Sequence, residues 1–528
     1  MKLKHSLRII GTLLFLTSFV TPARPQTDPT VEKIMALAKE DNQTMEHLNI
    51  LVNRIGGRYI GSDNYQNAVN WTSHQLREWG LEVVVEEVGT LPVGFNRGPW
   101  FGRMLDHEHG MTLHFVTPSY TSGTKGRQRG HVLIEPKSQQ EFDRMKGALN
   151  GAWVLISGKS DGRPIDYSQR GDSLREVVIR QNNEIDRQNA ENMRWNRQNP
   201  NAPQRKIELL EEMPALFYRQ MREAGILGTI QSGAVPLLAL ADRNNLMNGT
   251  MTWDNLPTVP DIKLNEHQYR IIEQKARERQ YFILEFDIRN HFRMGPIKHH
   301  NVLAFIRGTD YPEEYIITGG HLDSYDVATG GVDCGTGIAP AMEAARLISK
   351  AMAETGAKPK RTIMFALWTG EEAGLLGSKH WVESNRDKWS NIINYFNRDG
   401  GPTVASSMTV PSSWVKDMEK VAAPLATFNP EFPFRIIERT GDPPARPTTP
   451  GGSDHAYFMI NGIPAISFAT TDPKGYNFSY TEIWHTERDT YDKSIPEYKN
   501  QTSVVNAVIL WGMANLEQRL PAKGVYRD

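Results

Sequence analysis

Four short apolar runs rich in β-branched residues stand in the second half of the chain: HNVLAFIRG (300–308), EEYIITGG (313–320), RTIMFALW (361–368) and PAISFAT (464–470). Helical stretches such as GIAPAMEAARLISKAMAE (337–354) and LLGSKHWVES (375–384) separate them. Strands that alternate with helices predict an α/β fold, with a mostly parallel sheet and helices on both faces. In such sheets ligands bind in the loops beyond the carboxyl ends of strands. HLDSYDVATGGVDCGTG (321–337) occupies that position after EEYIITGG, and places one histidine and three aspartates in a glycine-rich stretch. A lone His-x-Asp pair is weak evidence of a site, because a surface histidine beside an acid is common.

At 528 residues the chain exceeds one ordinary core, so it divides into domains or carries an insertion. Residues 29–79 read as helical, interrupted by the loop GGRYIGSDNY (56–65), and GLEVVVEEV (80–88) reads as a strand. Between about 120 and 288 the character changes. GAWVLISG is a short buried strand, ALFYRQMREAGILGTIQSG a helix and a strand, and VPDIKLNEHQYRIIEQKARER a strand, a turn and a charged helix. Within this region the polar excursion near 170–206 has almost no apolar periodicity and reads as a solvated helix or a disordered stretch.

At the amino end, Lys2, Lys4 and Arg8 precede an apolar run from Ile9 to Val20, and small residues lead up to Ala23. This predicts a secretory signal over 1–25 and a secreted or periplasmic protein without stable membrane insertion. Cys334 is the one cysteine, so no intramolecular disulfide forms. With 60 Lys and Arg against 61 Asp and Glu, the chain has no basic footprint for nucleic acid.

Further loops in the second half deliver candidate ligands at strand ends or helix starts. Glu371 and Glu372 follow RTIMFALW, and two adjacent carboxylates repel unless they share a proton or a cation. Asp399 follows a short apolar run in NYFNRDGG, PGGSDHAYF offers Ser453, Asp454 and His455, and EIWHTERDT offers His485 and Asp489. Each has an ordinary structural explanation. Their occurrence in order at the strand ends of one α/β domain makes a shared site the better one.

These segments resemble the co-catalytic zinc exopeptidases of clan MH, which include leucyl-type aminopeptidases, glutamate carboxypeptidases and the plasma-type carboxypeptidase. GGHLDS, GVDCGTG, GEEAGLLGS, GGSDHAYFMINGIPA and HTERDT stand where that family has its signatures, and GGRYIGSDNY resembles its amino-terminal loop. The resemblance implies a three-layer α/β/α zinc exopeptidase fold with a mostly parallel mixed sheet, its catalytic domain split into 26–119 and 289–528. The region 120–288 resembles a protease-associated domain of β/α type inserted between them.

Carried over residue by residue, the resemblance assigns His321 and Asp399 to one zinc, Glu372 and His485 to a second, and Asp333 as the carboxylate bridging both. It implies two Zn2+ per chain, Glu371 as catalytic general base, and a peptide or dipeptide as substrate; it leaves room for a homodimer. Zinc accepts nitrogen and carboxylate ligands, and two zinc ions together activate water and polarise a carbonyl. Asp323 is positioned to accept the far N–H of His321, Asp489 to serve His485 in the same way, and Asp454 joins this supporting shell. Two departures from the family stand out. Cys334 follows the bridging aspartate where the family often has asparagine. Trp484 precedes the final histidine where some carboxypeptidases have a tyrosine, leaving Tyr480 as the candidate oxyanion or substrate contact. Closeness to the aminopeptidase pattern favours an aminopeptidase, with a carboxypeptidase or dipeptidase as the alternative. A glutaminyl cyclase, with one zinc, and a non-catalytic receptor-like scaffold, with ligands lost, fit the full ligand set less well.

Overall fold

The computed structural model describes residues 28–106 and 110–527. The signal expected over 1–25 lies outside the described residues, and among the described residues no helix is long and apolar enough to cross a membrane.

The central sheet contains Glu82–Asn96 (β1), His291–Ile306 (β2), Tyr311–His321 (β3), Arg361–Trp368 (β4) and Ile392–Asn397 (β5), in the order β1-β2-β4-β3-β5. It is mixed. β1 pairs antiparallel with β2 and β2 with β4, whereas β3 pairs parallel with both β4 and β5. Every residue of β4 is buried, as expected of a strand covered on both faces. Its Ile363, Phe365 and Leu367 join one apolar core, and Met364, Ala366 and Trp368 another on the opposite face. Alternation along one strand thus seals two helical layers to the sheet, each large apolar side chain contributing about 1.5–3 kcal/mol on burial.

Helix Gly335–Thr355 (α1) packs against Pro496–Ala514 (α3), and both are buried over most of their length, polar residues such as Glu343, Arg346 and Lys499 included. The shorter helix Leu376–Ser384 (α2) follows β4. PAISFAT departs from its expected strand. Residues 464–468 join no ladder, and a short strand begins only at Ala469. The amide of Asn394 brackets Ile466 instead, donating to its carbonyl at 2.8 Å and accepting its N–H at 2.9 Å. A side chain there does the work of a neighbouring strand.

Between β1 and β2 the chain builds a second unit from two sheets. One runs Phe115–Val116, Asp261–Asn265, Gly228–Gly233, Trp153–Lys159, Val132–Ile134; the other joins Met111–Thr112, Trp100–Leu105, Ile283–Ile288 and Gln128–Gly130. Trp153 and Phe286 meet between them with ring centroids 4.7 Å apart. This unit begins at Trp100, ahead of the boundary expected at 120. Its first strand makes only a two-residue pairing with the nearby Met111–Thr112 and finds its full-length partner at Ile283–Ile288, so the local signal for the start is weak.

The polar excursion is the helix Gln169–Gln198. Its periodicity is carried by asparagines seven residues apart. Asn182, Asn189 and Asn196 each donate to and accept from the backbone of Glu211, Glu208 and Arg205 respectively, which docks an extended return segment along two-turn steps of the helix.

Candidate active site

The loops at the carboxyl ends of β3, β4 and β5 converge. His321 ends β3, Glu371 and Glu372 follow β4, Asp399 follows β5, Asp333 lies just before α1, and His485 comes after the short helix Tyr480–Ile483. All but Asp399 are at most 8 % exposed.

Asp333 stands between the two histidines. His321 Nε2 is 3.1 Å from Asp333 Oδ1 and 3.7 Å from Asp399 Oδ1; His485 Nε2 is 3.3 Å from Asp333 Oδ2 and 3.1 Å from Glu372 Oε2. Two ligand atoms held about 2.0–2.1 Å from one tetrahedral zinc are themselves about 3.3 Å apart, and all four separations fall close to that value. His321 Nε2, both Glu372 carboxylate oxygens and Asp399 Oδ1 are buried without a hydrogen-bonding partner in the protein, as donor atoms reserved for a cation would be. Among the described residues, candidate metal-holding groups include Asp333–Glu372–His485 and His321 with Glu371 and Glu372. The donor set therefore fits the zinc that the sequence leads one to expect.

The electrostatics agree. Burial pushes Glu371 up to about 10, reinforced by the carboxylates of Glu372, Asp399 and Asp454, and burial likewise raises Glu372. Asp333, although buried, is held below the usual carboxylate range by the two histidines, while Glu372 and Asp333 outweigh burial and raise His485 to about 9. Crowding this many acids in a dry site is costly without divalent positive charge.

The supporting residues are present but act differently from the expectation. His321 Nδ1 lies 2.9 Å from the backbone carbonyl of Asp323, whereas the Asp323 carboxylate is 3.8 Å away. That carboxylate accepts instead the backbone N–H groups of Glu371 and Glu372, each at 3.2 Å, and so holds the loop after β4. Asp489 does not orient His485. It accepts the N–H groups of Val332 and Asp333 at 2.7 and 3.2 Å, pinning the loop that carries Asp333. In both cases a carboxylate caps a turn of unpaired backbone donors, a competing use that local sequence does not reveal. Asp454 is fully buried beneath the cluster, where burial raises its carboxyl to about 7.

Arg58, from GGRYIG, is the residue that sequence reasoning left without a role. Its fully buried guanidinium donates to the carbonyls of Leu322 at 3.0 Å and Thr329 at 2.8 Å, stapling both ends of the loop between His321 and Asp333. Gly330, in that loop, has φ +67°, and a Cβ there would lie 2.8 Å from the Arg58 guanidinium. Cys334 is buried with its Sγ within 4.8 Å of ligand atoms of His321 and Asp399, a further group able to hold a metal ion. Its Sγ donates to the carbonyl of Arg398 at 2.9 Å, burial raises the thiol to about 11, and a Cβ on Gly337 would lie 2.7 Å from the sulfur.

Above the cluster opens a cleft of about 700 Å³ with Asp333, Glu371, Glu372, Asp399 and His485 in its floor. The second unit contributes Arg163, Asp166, Asp242 and Arg243 to its wall. Trp484 also lines it, stacked on His485 with ring centroids 3.9 Å apart. Tyr480 is half-buried beside Gly401; burial and the charges of Asp333 and Asp399 raise its phenol.

Residues 301–509 match peptidase family M28. Carboxypeptidase Q of Xenopus laevis is 24% identical over 498 residues, covering 92% of this chain and 88% of that protein; that of Bos taurus is 23% identical over 507 residues, covering 93% and 89%. Among solved structures, the peptidase M28 precursor from Shewanella amazonensis superposes with a TM-score of 0.55 at 19% identity, covering 93% of this chain and 97% of that one. A zinc aminopeptidase from Bacillus subtilis gives 0.50 at 15%, covering 93% and 98%. A mixed α/β sheet with histidines and acids gathered beyond its strand ends, together with this match, defines a metallopeptidase. Residues 301–509 thus carry a peptidase family M28 segment, and over nearly its whole length the chain is similar to carboxypeptidase Q and shares the fold of a zinc aminopeptidase.

Proposed function

We propose that the chain is a di-zinc exopeptidase that removes the carboxyl-terminal residue of short peptides. His321 and Asp399 hold one ion, Glu372 and His485 the other, and Asp333 bridges them. The bound zinc supplies an activated water and a Lewis acid for the scissile carbonyl. Glu371 takes the proton of the attacking water and passes it to the departing amine nitrogen; its burial beside other acids gives it the proton affinity for that task.

The observation that favours the carboxyl end is Arg243. Its guanidinium lines the cleft 3.9 Å from Glu372 and is 47% exposed, so it can pair with a substrate carboxylate held next to the scissile bond. The two acids of the same wall are already engaged. Asp166 accepts from Ser168 N–H and the Asn245 amide through Oδ1, and Asp242 accepts from Asn245 through both oxygens as it caps the helix Arg243–Met247, so both are partly satisfied within the protein. The coverage of nearly whole carboxypeptidase Q chains supports the same reading. An aminopeptidase, the end favoured by the sequence motifs, is the second reading, supported by the fold shared with a solved zinc aminopeptidase.

The test compares amino-blocked dipeptides and their carboxyl amides with aminoacyl nitroanilides, for wild type and Arg243→Ala. Preference for the free carboxylate, with KM raised at least about tenfold in the variant, supports the carboxypeptidase. Efficient nitroanilide cleavage unaffected by the variant establishes the aminopeptidase instead. We also propose export through the amino-terminal segment, a protease-associated character for the second unit, and leave a homodimer to be tested by sedimentation.

A further inference from the structure

The loop that presents His485 is bound along its backbone to the second unit. Ala239 donates its N–H to the carbonyl of His485 at 3.3 Å, Glu487 donates its N–H to the carbonyl of Leu237 at 3.2 Å, and Leu238 pairs antiparallel with Thr486 between them. Leu237 and Ala239 are fully buried, so the bracing segment is itself anchored in a core. His485 needs such a brace. It has φ +58°, a backbone region that a residue with a Cβ occupies only where its surroundings hold it there.

A second connection reaches the same histidine from the other side. The Asp326 carboxylate accepts Arg97 Nε and Nη2 at 3.0 and 2.8 Å and the Ser119 hydroxyl at 2.6 Å, with the Arg97 and Asp326 side chains each 5% exposed. The neighbouring Tyr325 packs its ring 4.5 Å from that of His485. Arg97 and Ser119 border the second unit, whereas Asp326 and Tyr325 belong to the loop that follows His321. Both connections therefore end on the residue proposed to hold one metal with Glu372.

We infer that the second unit is a positioning part of the metal centre, its segment Leu237–Ala239 setting the place of His485 and hence the affinity of the Glu372–His485 metal. The inference rests on the di-zinc reading above. The two sites then respond unequally when the brace is cut, because His321 and Asp399 hang on β3 and β5 of the central sheet. Coupling of this kind is also reciprocal: if the brace favours metal, metal favours the brace.

The variant Ala239→Pro removes the N–H that holds the His485 carbonyl while leaving every proposed ligand in place. Zinc content would be measured on the purified full chain, and zinc retention against a graded chelator. The expected result is one zinc retained as in wild type and the other held at least tenfold more weakly, with activity restored by excess zinc. Two zinc ions as resistant to chelator as in wild type would overturn the inference, and so would equal weakening of both, which marks a general loss of fold. A wild-type chain that binds no zinc would instead overturn the di-zinc reading on which the inference stands. Should Ala239→Pro fail to fold, hydrogen exchange on the wild-type chain decides. Stripping zinc should speed exchange at the Ala239 and Glu487 amides at least tenfold, and unchanged exchange there would overturn the inference.

Discussion

The carboxylate of Asp489 accepts the backbone N–H of Asp333 at 3.2 Å, so the residue standing between the two histidines is held from behind. It also accepts the N–H of Val332 at 2.7 Å. Asp489→Ala leaves both donors unpaired in a buried loop and frees Asp333 to move. Residues that orient metal ligands in this way are worth about 10–100-fold in metal affinity. We expect a loss of that size by competitive chelator titration, with Asp489→Asn, which keeps one acceptor oxygen, falling between.

Glu371 is proposed to move protons without holding metal. Glu371→Gln keeps shape and removes the basic oxygen, so zinc content should stay near that of the wild type while turnover falls at least about a hundredfold. Loss of zinc together with activity would make Glu371 a ligand instead.

Asp333 presents one oxygen to each histidine, at 3.1 and 3.3 Å. Asp333→Ala should therefore weaken both metal sites, whereas His485→Ala or Glu372→Ala should weaken one. Zinc counted by atomic absorption after dialysis separates the two patterns; two tightly held ions in Asp333→Ala would refute the bridge.

Cys334 gives its S–H to the carbonyl of Arg398, and burial keeps the thiol protonated well above neutral pH. Cys334→Ser preserves a donor of smaller size. Both zinc ions and most of the activity should survive, and alkylating agents should react slowly with the folded wild type. Loss of one zinc in the variant would place the sulfur in the metal site.

His299 is 3% exposed, and burial, aided by the charges of His300 and His380, lowers it to about 4. The unfolded chain takes up that proton near pH 6.5, the folded chain only near 4, so acid favours unfolding across that window. Stability should fall as pH drops from about 6.5 to about 4, by at most about 3 kcal/mol from this group. In His299→Gln this part of the decline should vanish, read as the difference between urea melts of variant and wild type at several pH values.

β2, β3 and β4 were legible because each is a local run of apolar, β-branched residues whose burial the sequence announces. The candidate ligands were legible for a similar reason, since each follows such a run or opens a helix and glycines or acids surround it. Where local composition and structure part, the cause is a distant partner. Residues 464–468 look like a strand but are tied to Asn394, and the full-length partner of Trp100–Leu105 lies at Ile283–Ile288. The helix Gln169–Gln198 hid its period because asparagines rather than apolar residues carry it.

By itself the sequence determined the chemical types at the site and the strand ends on which they ride, because both are properties of short stretches of chain. Only the tertiary structure decided what those side chains do: that Asp323 and Asp489 cap loops, that Arg58 staples the turn between His321 and Asp333, and that Arg243 faces Glu372. It alone placed Ala239 against His485 and Arg97 against Asp326, the latter pair 229 residues apart. Each of these rests on hydrogen bonds or an ion pair between residues remote in sequence, and neither partner carries a local signal of the other.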